Sequence, residues 1–584
     1  MGNAKPDNFT DEPWLRLYGE SVPRNVNFRE SSLLTYLDEA AEQNPGVVAC
    51  RFHKTDVTYE NLRRKAEICA ANLNAYGVQP GDRVGIMLPN LPQTMIAFWG
   101  VLKAGAVVTM INPLYMEKEL LHLVSDAGIR HLITIDICWP KIEKLQDRLE
   151  IEKYFITTIA DALIFPFNFL QHLNALRDRG TVRIPYNGKR VLPFSVLQKG
   201  STRLSRPVAD PRRALALLQY TGGTTGLAKG VMLTHFNVAA NIQQIEHVLP
   251  FDKSIHQVFL AVLPFFHVYG LNTCLVLPTL LSATVIPVAR FVPRELPEAI
   301  EKHQVTVLPG APAIYLTLLQ QKHKKKNALQ SLSLCISGAA PIPVETIRRF
   351  DEAYGVKIIE GYGLSEASPI THLSPLQGSL KSGSIGLPLP DTQARIVDME
   401  LGAPPLAPGK VGELVVRGPQ VMQGYWNKPD ETAGALRNGW LYTGDIAYMD
   451  KEGFFYIVDR KKDMIIIAGY NVYPREIDEV LCVHPKVKDA VSVGVSHPYR
   501  GEVIKAYVVL KEGEVCGRSE ILSFCRERLA SYKVPRLVEF RAELPKSIVG
   551  KVLRRVLKAE EESRLLQRQD PDKSGEDEDG IETG

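Results

Sequence analysis

Apolar residues recur with helical spacing near the start of the chain. Leu62, Ala66 and Cys69 follow one another at steps of four and three residues, the spacing that places side chains on one face of a helix. Gly77 comes shortly after this pattern, and glycine commonly follows the last residues of a helix. The pattern therefore predicts an amphipathic helix that begins near Thr58 and ends before Gly77.

Short apolar runs then alternate with further helical patterns. We predict strands at residues 83–89, 106–111 and 131–136, and helices at residues 92–103 and 117–125. The same alternation returns at residues 305–308 and 332–336. Strands that alternate with helices pair in parallel and are covered by helices on both faces. The sequence therefore predicts an α/β fold, with a large amino-terminal domain at residues 1–459 built from parallel-sheet layers of the αβαβα type.

The pattern changes after the segment DRKKD, residues 459–463. The short strands AVSVGV and IKAYVVL stand between helices predicted at residues 474–483 and 518–529. We expect a small α+β domain at residues 460–560. Residues 561–584 are acidic and poor in apolar side chains, which predicts a disordered tail.

Composition adds limits to this picture. The chain has 584 residues, of which 45% are hydrophobic and 23% are charged. A chain of this length exceeds a single hydrophobic core, and the composition is that of a soluble globular protein. The formal net charge is only +4, which gives no support to nucleic-acid binding.

The cysteines and the amino terminus indicate a cytoplasmic protein. Eight cysteines are scattered with no CxxC pair and no His/Cys metal spacing, so we expect free thiols in a reducing cytosol. The first residues contain no apolar segment that resembles a signal peptide. Gly2 invites a myristoylation signal, but Pro6 stands where that signal requires Ser or Thr.

One stretch raises the question of a membrane. Residues 254–289 contain no Lys, Arg, Asp or Glu, and their number would suffice to cross a bilayer. Pro264, Pro278 and Pro287 divide the stretch, which favours buried strands and a core helix. A peripheral membrane contact at the inner leaflet is kept as the alternative.

Two shorter segments are open to the same alternatives. Residues 163–170, LIFPFNFL, would form a lipid site or a plug of the core. Residues 322–326, KHKKK, would contact an anionic membrane or form a solvated loop.

The segment YTGGTTGLAKG, residues 220–230, has the residue types that bind phosphate. Glycines let backbone N–H groups approach phosphate oxygens, threonine hydroxyls add donors, and a lysine adds positive charge. Lys229 precedes Gly230 instead of Ser or Thr, so the segment is not a Walker A loop. A structural glycine-rich turn would be a rival interpretation of this segment alone.

Further motifs follow in a fixed order, and together they resemble the adenylate-forming superfamily of acyl-CoA synthetases, luciferases and peptide-synthetase adenylation domains. The resemblance covers nearly the whole chain apart from the acidic tail. The segment NGWLYTGDIAYMDKEGFFYIVDRKK, residues 438–462, also resembles the signature of fatty acyl-CoA synthetases, above all the bacterial long-chain enzymes. The other matching motifs are PFFHVYG (264–270), SGAAP (337–341), EGYGLSEAS (360–368), YTGD (442–445), DRKKD (459–463) and PKSIVGKVLRR (545–555).

The resemblance implies a nucleotide site. Tyr362 would stack on adenine, Ser365 would contact the α-phosphate, and Asp445 would accept the ribose hydroxyls with support from Arg460. Many relatives carry Thr at the position of Ser365, and Ser keeps the hydroxyl. The implied ATP-binding residues are Thr221, Gly222, Gly223, Thr224, Thr225, Gly226, Lys229, Gly338, Gly361, Tyr362, Gly363, Ser365, Asp445, Arg460 and Gly469.

The resemblance also implies the catalytic groups. Glu366 and Thr221 would hold Mg²⁺, and Lys551 would bridge the attacking carboxylate and the α-phosphate. The alternative for Lys551 is a surface lysine in a basic turn. Lys462 would be the hinge about which a mobile small domain rotates to admit CoA between the two half-reactions.

The acyl group would lie against His267, Val268, Tyr269 and Gly270, while residues 468–474 would border the pantetheine tunnel. His267 would gate one of these paths or be a satisfied core histidine.

The expected reaction is ATP-dependent activation of a long-chain fatty acid to acyl-CoA through an acyl-adenylate, with release of AMP and diphosphate. The expected partners are fatty acid, ATP and CoA, without nucleic acid, and a homodimer is left open. An enzyme that delivers the acyl group to a carrier protein is the alternative. A catalytically silent lipid- or nucleotide-binding protein is a third hypothesis, which the presence of Lys551, Glu366 and Asp445 disfavours.

Overall fold

The structure is a computed structural model. It describes residues 12–20, 22–163, 182–202, 208, 210–221, 228–252, 254–321, 328–375, 381, 383–467, 470–497, 501–547 and 550–569. Several predictions fall outside these residues: those for Gly2, Pro6, residues 164–170, residues 222–226, residues 322–326, Gly469 and the last part of the tail.

The chain divides into two compact units. The larger unit comprises residues 1–410, 414–443 and 449–456, and the smaller one comprises residues 411–413, 444–448 and 457–584. The predicted fold class, a large α/β domain followed by a small carboxy-terminal domain, is confirmed. The exact functional boundary after residue 459 stays a prediction.

One sheet of the larger unit has nine strands. Its six central strands are parallel, and antiparallel strands close both edges. Its strands, in spatial order, are Leu387–Pro388, Ile370–Leu373, Ile358–Gly363, Leu334–Ser337, Val307–Gly310, Val258–Ala261, Thr284–Pro287, Val48–Phe52 and Thr55–Thr58.

A second sheet of the larger unit has eight strands. Six are parallel, and the two at one edge are antiparallel. In spatial order they are Gly424–Tyr425, Lys229–Thr234, Leu215–Thr221, Val107–Met110, Arg83–Met87, His131–Ile135, Lys153–Thr157 and Val191–Pro193.

The predicted helix at residues 92–103 is observed with the bounds Pro92–Lys103 and is buried along its whole length. It crosses the helix Tyr59–Ala75 closely at Gly100. A Cβ atom at this position would lie only 2.6 Å from the Cys69 sulfur. The remaining α-helices of this unit are Leu34–Gln43, Glu117–Ala127, Trp139–Leu145, His235–Val248, Val268–Leu271, Leu277–Leu280, Leu296–His303, Pro312–Gln320, Val344–Tyr354 and Pro429–Ala435.

Short helices complete the larger unit. Its 3₁₀-helices are Pro13–Arg16, Asp136–Cys138, Ala160–Ala162, Phe194–Gln198, Pro293–Glu295 and Ser365–Ala367, and a π-helical turn spans Asn272–Val276.

The charge-free stretch folds as predicted into buried strands and a core helix. Strands Val258–Ala261 and Thr284–Pro287 flank a helical segment that runs from Val268 to Leu280, with the π-helical turn in its middle. Among the described residues, no helix is both long and apolar enough to cross a membrane.

Further strands lie between residues 393 and 460. They are Gln393–Val397, Gly412–Arg417, Leu436–Arg437, Trp440–Met449 and Phe455–Arg460.

The smaller unit contains a five-stranded sheet with apolar residues on both faces. Along its strand Gly501–Leu510, Ile504, Ala506 and Val508 pack into one core, while Val503 and Tyr507 pack into another on the opposite face, as the twofold period of a strand requires. The other strands are Tyr470–Val472, Ile465–Ile467, Val487–His497 and Leu537–Phe540, and the helices are Pro474–Cys482, Arg518–Arg526, the 3₁₀-helix Ser531–Lys533, and Arg554–Gln569.

The last helix corrects the predicted limit of the tail. It extends to Gln569, so residues 561–569 are helical although their composition predicts disorder. Ion pairs fasten this part of the helix to the sheet: Glu561 contacts Lys505 at 2.8 Å, and Arg564 contacts Glu539 at 2.7 Å. The composition of residues 561–569 does not predict either ion pair, because both partners lie far away in the sequence.

Candidate active site

Thr221 and Lys229 face each other at the end of a β-hairpin. The strands Leu215–Thr221 and Lys229–Thr234 are antiparallel, and Thr221 is paired with Lys229 in the ladder. Of the predicted phosphate-binding residues in this segment, Thr221 and Lys229 are the two whose positions the structure describes. The strand pairing thus places a threonine and a lysine opposite each other, one before and one after the glycine-rich part of the segment.

The ammonium group of Lys229 has two neighbours in the larger unit. It forms an ion pair with the carboxylate of Glu431, and its Nζ lies 5.2 Å from the centre of the Tyr425 ring. Tyr425 reaches this position because the short strand Gly424–Tyr425 pairs with the Lys229 strand, where Tyr425 is opposite Val231.

Tyr425 also connects Lys229 to Glu366. Its hydroxyl donates a hydrogen bond of 2.8 Å to Glu366 Oε1. Burial, and then the Glu366 charge, raise the pKa of Tyr425 above its ordinary value, so the phenol remains a donor. Glu366 lies in the 3₁₀-helix Ser365–Ala367, and its backbone carbonyl accepts a hydrogen bond from Met422 N at 2.8 Å. Side chain and backbone of Glu366 are therefore both held in place.

Tyr362 and Ser365 lie at and just after the carboxyl end of the strand Ile358–Gly363, and Gly338 directly follows the neighbouring strand Leu334–Ser337. Strands Leu334–Ser337 and Ile358–Gly363 are parallel and adjacent, and such strand ends are where ligands bind in open α/β sheets. A Cβ atom at Gly363 would lie 1.7 Å from the Pro369 carbonyl oxygen. Glycine is therefore required at Gly363 by packing, whatever the ligand.

The ring of Tyr362 packs against a buried histidine. The two rings are edge to face, with 5.7 Å between their centres. Burial lowers the pKa of His372 to about 3, so its imidazole is neutral. His372 thus supports Tyr362 through packing and adds no charge.

The predicted acyl-site residues have packing contacts of their own. His267 Nδ1 accepts a hydrogen bond of 3.2 Å from Tyr269 N and caps the helix that begins at Val268. The buried Tyr269 donates its hydroxyl to the Ile336 carbonyl at 3.1 Å. A Cβ atom at Gly270 would lie 2.3 Å from the Pro264 carbonyl oxygen. These contacts give His267 a structural role, and its part in gating stays a prediction.

In the smaller unit, Asp445 and Arg460 form the expected pair. Arg460 Nε lies 2.9 Å from Asp445 Oδ1, and the aspartate side chain is buried. Glu413 organises the same region: its Oε1 accepts from Gly444 N at 3.1 Å, and its Oε2 contacts Lys461 Nζ at 2.8 Å. Glu413 thereby links the turn before Asp445 to the residue after Arg460.

Lys551 belongs to the same group of charges. Part of Lys551 is exposed to solvent. Desolvation of its ammonium group is the main cause that lowers its pKa to about 8, and the positive charge of Arg460 is the second cause. Asp445 and Asp463 are close enough to oppose this shift. Its loop is closed by Ser547 N, which donates to the Lys551 carbonyl at 2.7 Å. Desolvation also lowers the pKa of the proposed hinge residue Lys462.

Arg554, three residues after Lys551, contacts two aspartates of the motif DRKKD, residues 459–463. It forms an ion pair with the carboxylate of Asp478, and its Nη1 lies 3.7 Å from Asp463 and 3.9 Å from Asp459. Burial raises the pKa of Asp478 to about 7. Arg554 is the first residue of the last helix, so the end of the lysine loop is anchored three residues beyond Lys551.

One group of metal-capable side chains lies elsewhere in the smaller unit. Donor atoms of His484, Cys516 and Glu520 lie within 4.8 Å of one another. The spacing of these residues in the sequence does not match a metal-binding motif. Lys486 Nζ lies 2.9 Å from Glu520. The carboxylate is therefore already paired with a cation, next to the buried His484 and Cys516.

Sequence reasoning missed four residues that contact predicted site residues or their neighbours: Tyr425 and Glu431 in the larger unit, and Glu413 and Arg554 in the smaller one. For Arg554 a signal existed, since it lies within the matched motif PKSIVGKVLRR, residues 545–555. The other three contact their partners through strand pairing over long sequence separations, which no local pattern encodes.

The chain matches the family of AMP-binding enzymes over residues 37–426 and the carboxy-terminal domain of AMP-binding enzymes over residues 476–551. The chain belongs to the AMP-binding enzyme family. It is 44% identical over 555 residues to a long-chain-fatty-acid–CoA ligase of Bacillus subtilis, covering 94% of this chain and 98% of that protein. It is 37% identical over 568 residues to a long-chain-fatty-acid–CoA ligase of Escherichia coli O157:H7, covering 94% and 99%.

A solved structure has the same fold. The ATP-bound MatB of Rhodopseudomonas palustris superposes with a TM-score of 0.79 at 27% identity, over 90% of this chain and 98% of that one. The family resemblance inferred from the motifs is confirmed. The roles of the individual site residues stay predictions.

Proposed function

We propose that this AMP-binding enzyme is a long-chain-fatty-acid–CoA ligase. It converts fatty acid, ATP and CoA to acyl-CoA, AMP and diphosphate through an acyl-adenylate. The observation that carries the proposal is the similarity of nearly the whole chain to long-chain-fatty-acid–CoA ligases. The Asp445–Arg460 ion pair, whose charges act on the ammonium of Lys551, supports it.

The first half-reaction replaces a poor leaving group with a good one. A carboxylate oxygen of the fatty acid attacks the α-phosphorus of ATP, the bond from that phosphorus to the bridging oxygen breaks, and diphosphate leaves. Two anions approach each other, so positioned positive charge supplies most of the catalysis. With a pKa of about 8, Lys551 is mainly cationic near neutral pH and bridges the carboxylate and the α-phosphate.

Binding of ATP is divided between the described residues. Lys229 and Thr221 contact the β- and γ-phosphates, Tyr362 packs on adenine, and Asp445 accepts the ribose hydroxyls while Arg460 fixes its orientation. Ser365 donates to the α-phosphate. Each role is proposed from the family motif together with the contacts of these side chains.

Glu366 and Thr221 suit Mg²⁺ because both offer hard oxygen donors. The hydrogen bond from Tyr425 orients the Glu366 carboxylate, as supporting contacts do at metal sites. When bound, the ion neutralises phosphate charge.

In the second half-reaction the CoA thiol attacks the acyl carbonyl and AMP leaves. We place the hinge at Lys462, so that the smaller unit turns after adenylation and withdraws Lys551. His267 to Gly270 would then border the acyl path.

The test is AMP release by the purified protein with saturated fatty acids of graded length, with and without CoA. A ligase releases AMP repeatedly only with CoA and forms acyl-CoA in equal amount, with highest kcat/KM for long chains. Turnover with acyl-carrier protein but not CoA would establish the carrier-dependent alternative. Absence of fatty-acid-dependent AMP formation would overturn the proposal.

A further inference from the structure

The carboxylate that pairs with Lys229 has no part in the reaction described above. Glu431 contacts the ammonium of Lys229, the residue proposed to bind the terminal phosphates of ATP. Exposed fractions of 18% for the Lys229 side chain and 37% for that of Glu431 show that the pair is partly shielded from water. Such a pair is screened less by salt than a fully exposed one.

The backbone around Glu431 is built to keep this contact. Glu431 lies in the first turn of the helix Pro429–Ala435. The next residue, Thr432, accepts a hydrogen bond from Tyr425 N at 2.9 Å and donates one to the Lys428 carbonyl at 2.7 Å. A Cβ atom at Gly424 would lie 2.6 Å from Thr432 Cγ2. The helix start and the strand Gly424–Tyr425 are thus closely packed, and that strand is paired with the strand of Lys229.

A polyphosphate and Glu431 compete for the same cation. An ammonium group has three donors on one small centre, and a carboxylate at hydrogen-bond distance repels an anion that approaches the same centre. When the terminal phosphates bind to Lys229, either the Glu431–Lys229 pair separates or the phosphate and the Glu431 carboxylate remain next to each other and repel. Either outcome weakens phosphate binding.

We propose that Glu431 is an internal counter-ion for Lys229. ATP displaces Glu431 from Lys229 on binding, and the Glu431–Lys229 pair forms again as diphosphate leaves. The proposal rests on the phosphate-binding role of Lys229 given above. Glu431 would lower the affinity for ATP and for diphosphate together, and would speed release of diphosphate after adenylation. It is a residue that tunes affinity and does not touch the reacting atoms.

The experiment compares Glu431→Gln with the wild type and with Asp430→Asn. Asp430 is the preceding residue in the same helix turn and is exposed, so Asp430→Asn removes an equal charge without touching the pair. ATP and diphosphate binding are measured by titration calorimetry of the full chain, without fatty acid or CoA. Thermal unfolding verifies that each variant is folded.

We expect Glu431→Gln to bind both ATP and diphosphate about two- to tenfold more tightly, the range for partly exposed charge pairs. Its KM for ATP should fall in proportion while the KM values for fatty acid and CoA stay unchanged. Asp430→Asn should bind ATP as the wild type does.

Unchanged or weaker ATP binding by a folded Glu431→Gln protein would overturn the proposal, and so would an equal gain in Asp430→Asn. Binding is read without turnover, so the comparison remains decisive even if the wild type binds ATP but activates no fatty acid. That second result would overturn the proposed function alone.

Discussion

Arg460 Nε lies 2.9 Å from Oδ1 of the buried Asp445. The ion pair fixes the direction in which the buried carboxylate points, while the Arg460 side chain remains 39% exposed. A fixed, charged acceptor is well suited to bind vicinal hydroxyl groups. This relationship supports the ribose-binding role and makes it testable with nucleotide analogues.

Asp445→Asn should impair binding of the ribose. Hydrogen bonds to a charged group contribute about 1.5–3 kcal/mol each, so kcat/KM for ATP should fall about ten- to hundredfold. The wild type should also discriminate against 2′-deoxy-ATP, and this discrimination should shrink in the variant. Steady-state kinetics with both nucleotides gives the four values. A variant that discriminates as strongly as the wild type would remove Asp445 from the ribose site.

Tyr425→Phe should weaken use of Mg²⁺. The substitution removes the 2.8 Å hydrogen bond to Glu366 Oε1 and keeps the ring beside Lys229. Loss of a group that orients a metal ligand typically costs about ten- to hundredfold in metal affinity or activity. We expect the Mg²⁺ concentration for half-maximal adenylation to rise by about tenfold, as measured by diphosphate exchange at fixed ATP.

The control for that experiment is Tyr186→Phe, which removes a hydroxyl from an exposed tyrosine of the same unit. It should leave the Mg²⁺ requirement unchanged. A normal Mg²⁺ requirement in Tyr425→Phe would show that Glu366 needs no support from this hydroxyl.

Local sequence patterns predicted the elements that build the sheets. The helix predicted at residues 92–103 is observed at Pro92–Lys103, because proline favours the first turn and a run without polar side chains, residues 95–102, follows. The charge-free stretch was also interpreted correctly, since three prolines divide it. The predicted strand at residues 106–111 is observed at Val107–Met110, a difference at the ends where patterns are weakest.

Contacts between distant segments could not be predicted in this way. Glu431 meets Lys229 because the strand Gly424–Tyr425 pairs with Val231 and Met232, and no periodicity near residue 424 encodes that partner. The helical state of residues 561–569 likewise depends on Lys505 and Glu539. The motif resemblance located the individual site residues, while their mutual support became visible in the fold.

Lys462→Pro should separate the two half-reactions if Lys462 is the hinge. Proline fixes φ near −65° and prevents the dihedral change that a rotating hinge requires. We expect the rate of diphosphate exchange to remain within about threefold of the wild-type rate, since the substitution disturbs only the backbone near residue 462. Thioester formation from supplied acyl-adenylate and CoA should be lost. Lys462→Ala, which keeps backbone freedom, is the matched control and should retain both steps. Equal loss of both steps in the proline variant would contradict the hinge assignment.

Arg554→Met should destabilise the smaller unit. It leaves the partly buried Asp478 carboxylate with the backbone N–H of Ser492 but without its cation, and removal of one member of a largely buried ion pair costs up to about 3–5 kcal/mol. The free energy of unfolding, from urea denaturation of the full chain, should fall by that amount in the transition of this unit. The double variant Arg554→Met/Asp478→Leu removes both charges and should recover most of the loss. Equal stability of the single variant and the wild type would show that solvent already screens this pair.

The pH dependence of adenylation should report the protonation of Lys551. Its pKa of about 8 lies below the ordinary value of a lysine, so the catalytic cation is present at neutral pH and is lost as the pH rises through about 8. The rate of acyl-adenylate formation should therefore decline above that pH. Lys551→Arg keeps its charge throughout this range, so whatever activity it retains should lack the decline.

Lys551→Ala should lose about a hundred- to a thousandfold in adenylation, the typical cost of removing one transition-state donor, yet should still convert supplied acyl-adenylate and CoA to acyl-CoA. Single-turnover measurements of each half-reaction from pH 6 to 10, a range chosen to span roughly two units around that pKa, provide the check. An unchanged alkaline decline in Lys551→Arg would assign the titration to another group, and equal loss of both half-reactions in Lys551→Ala would exclude a role confined to the first step.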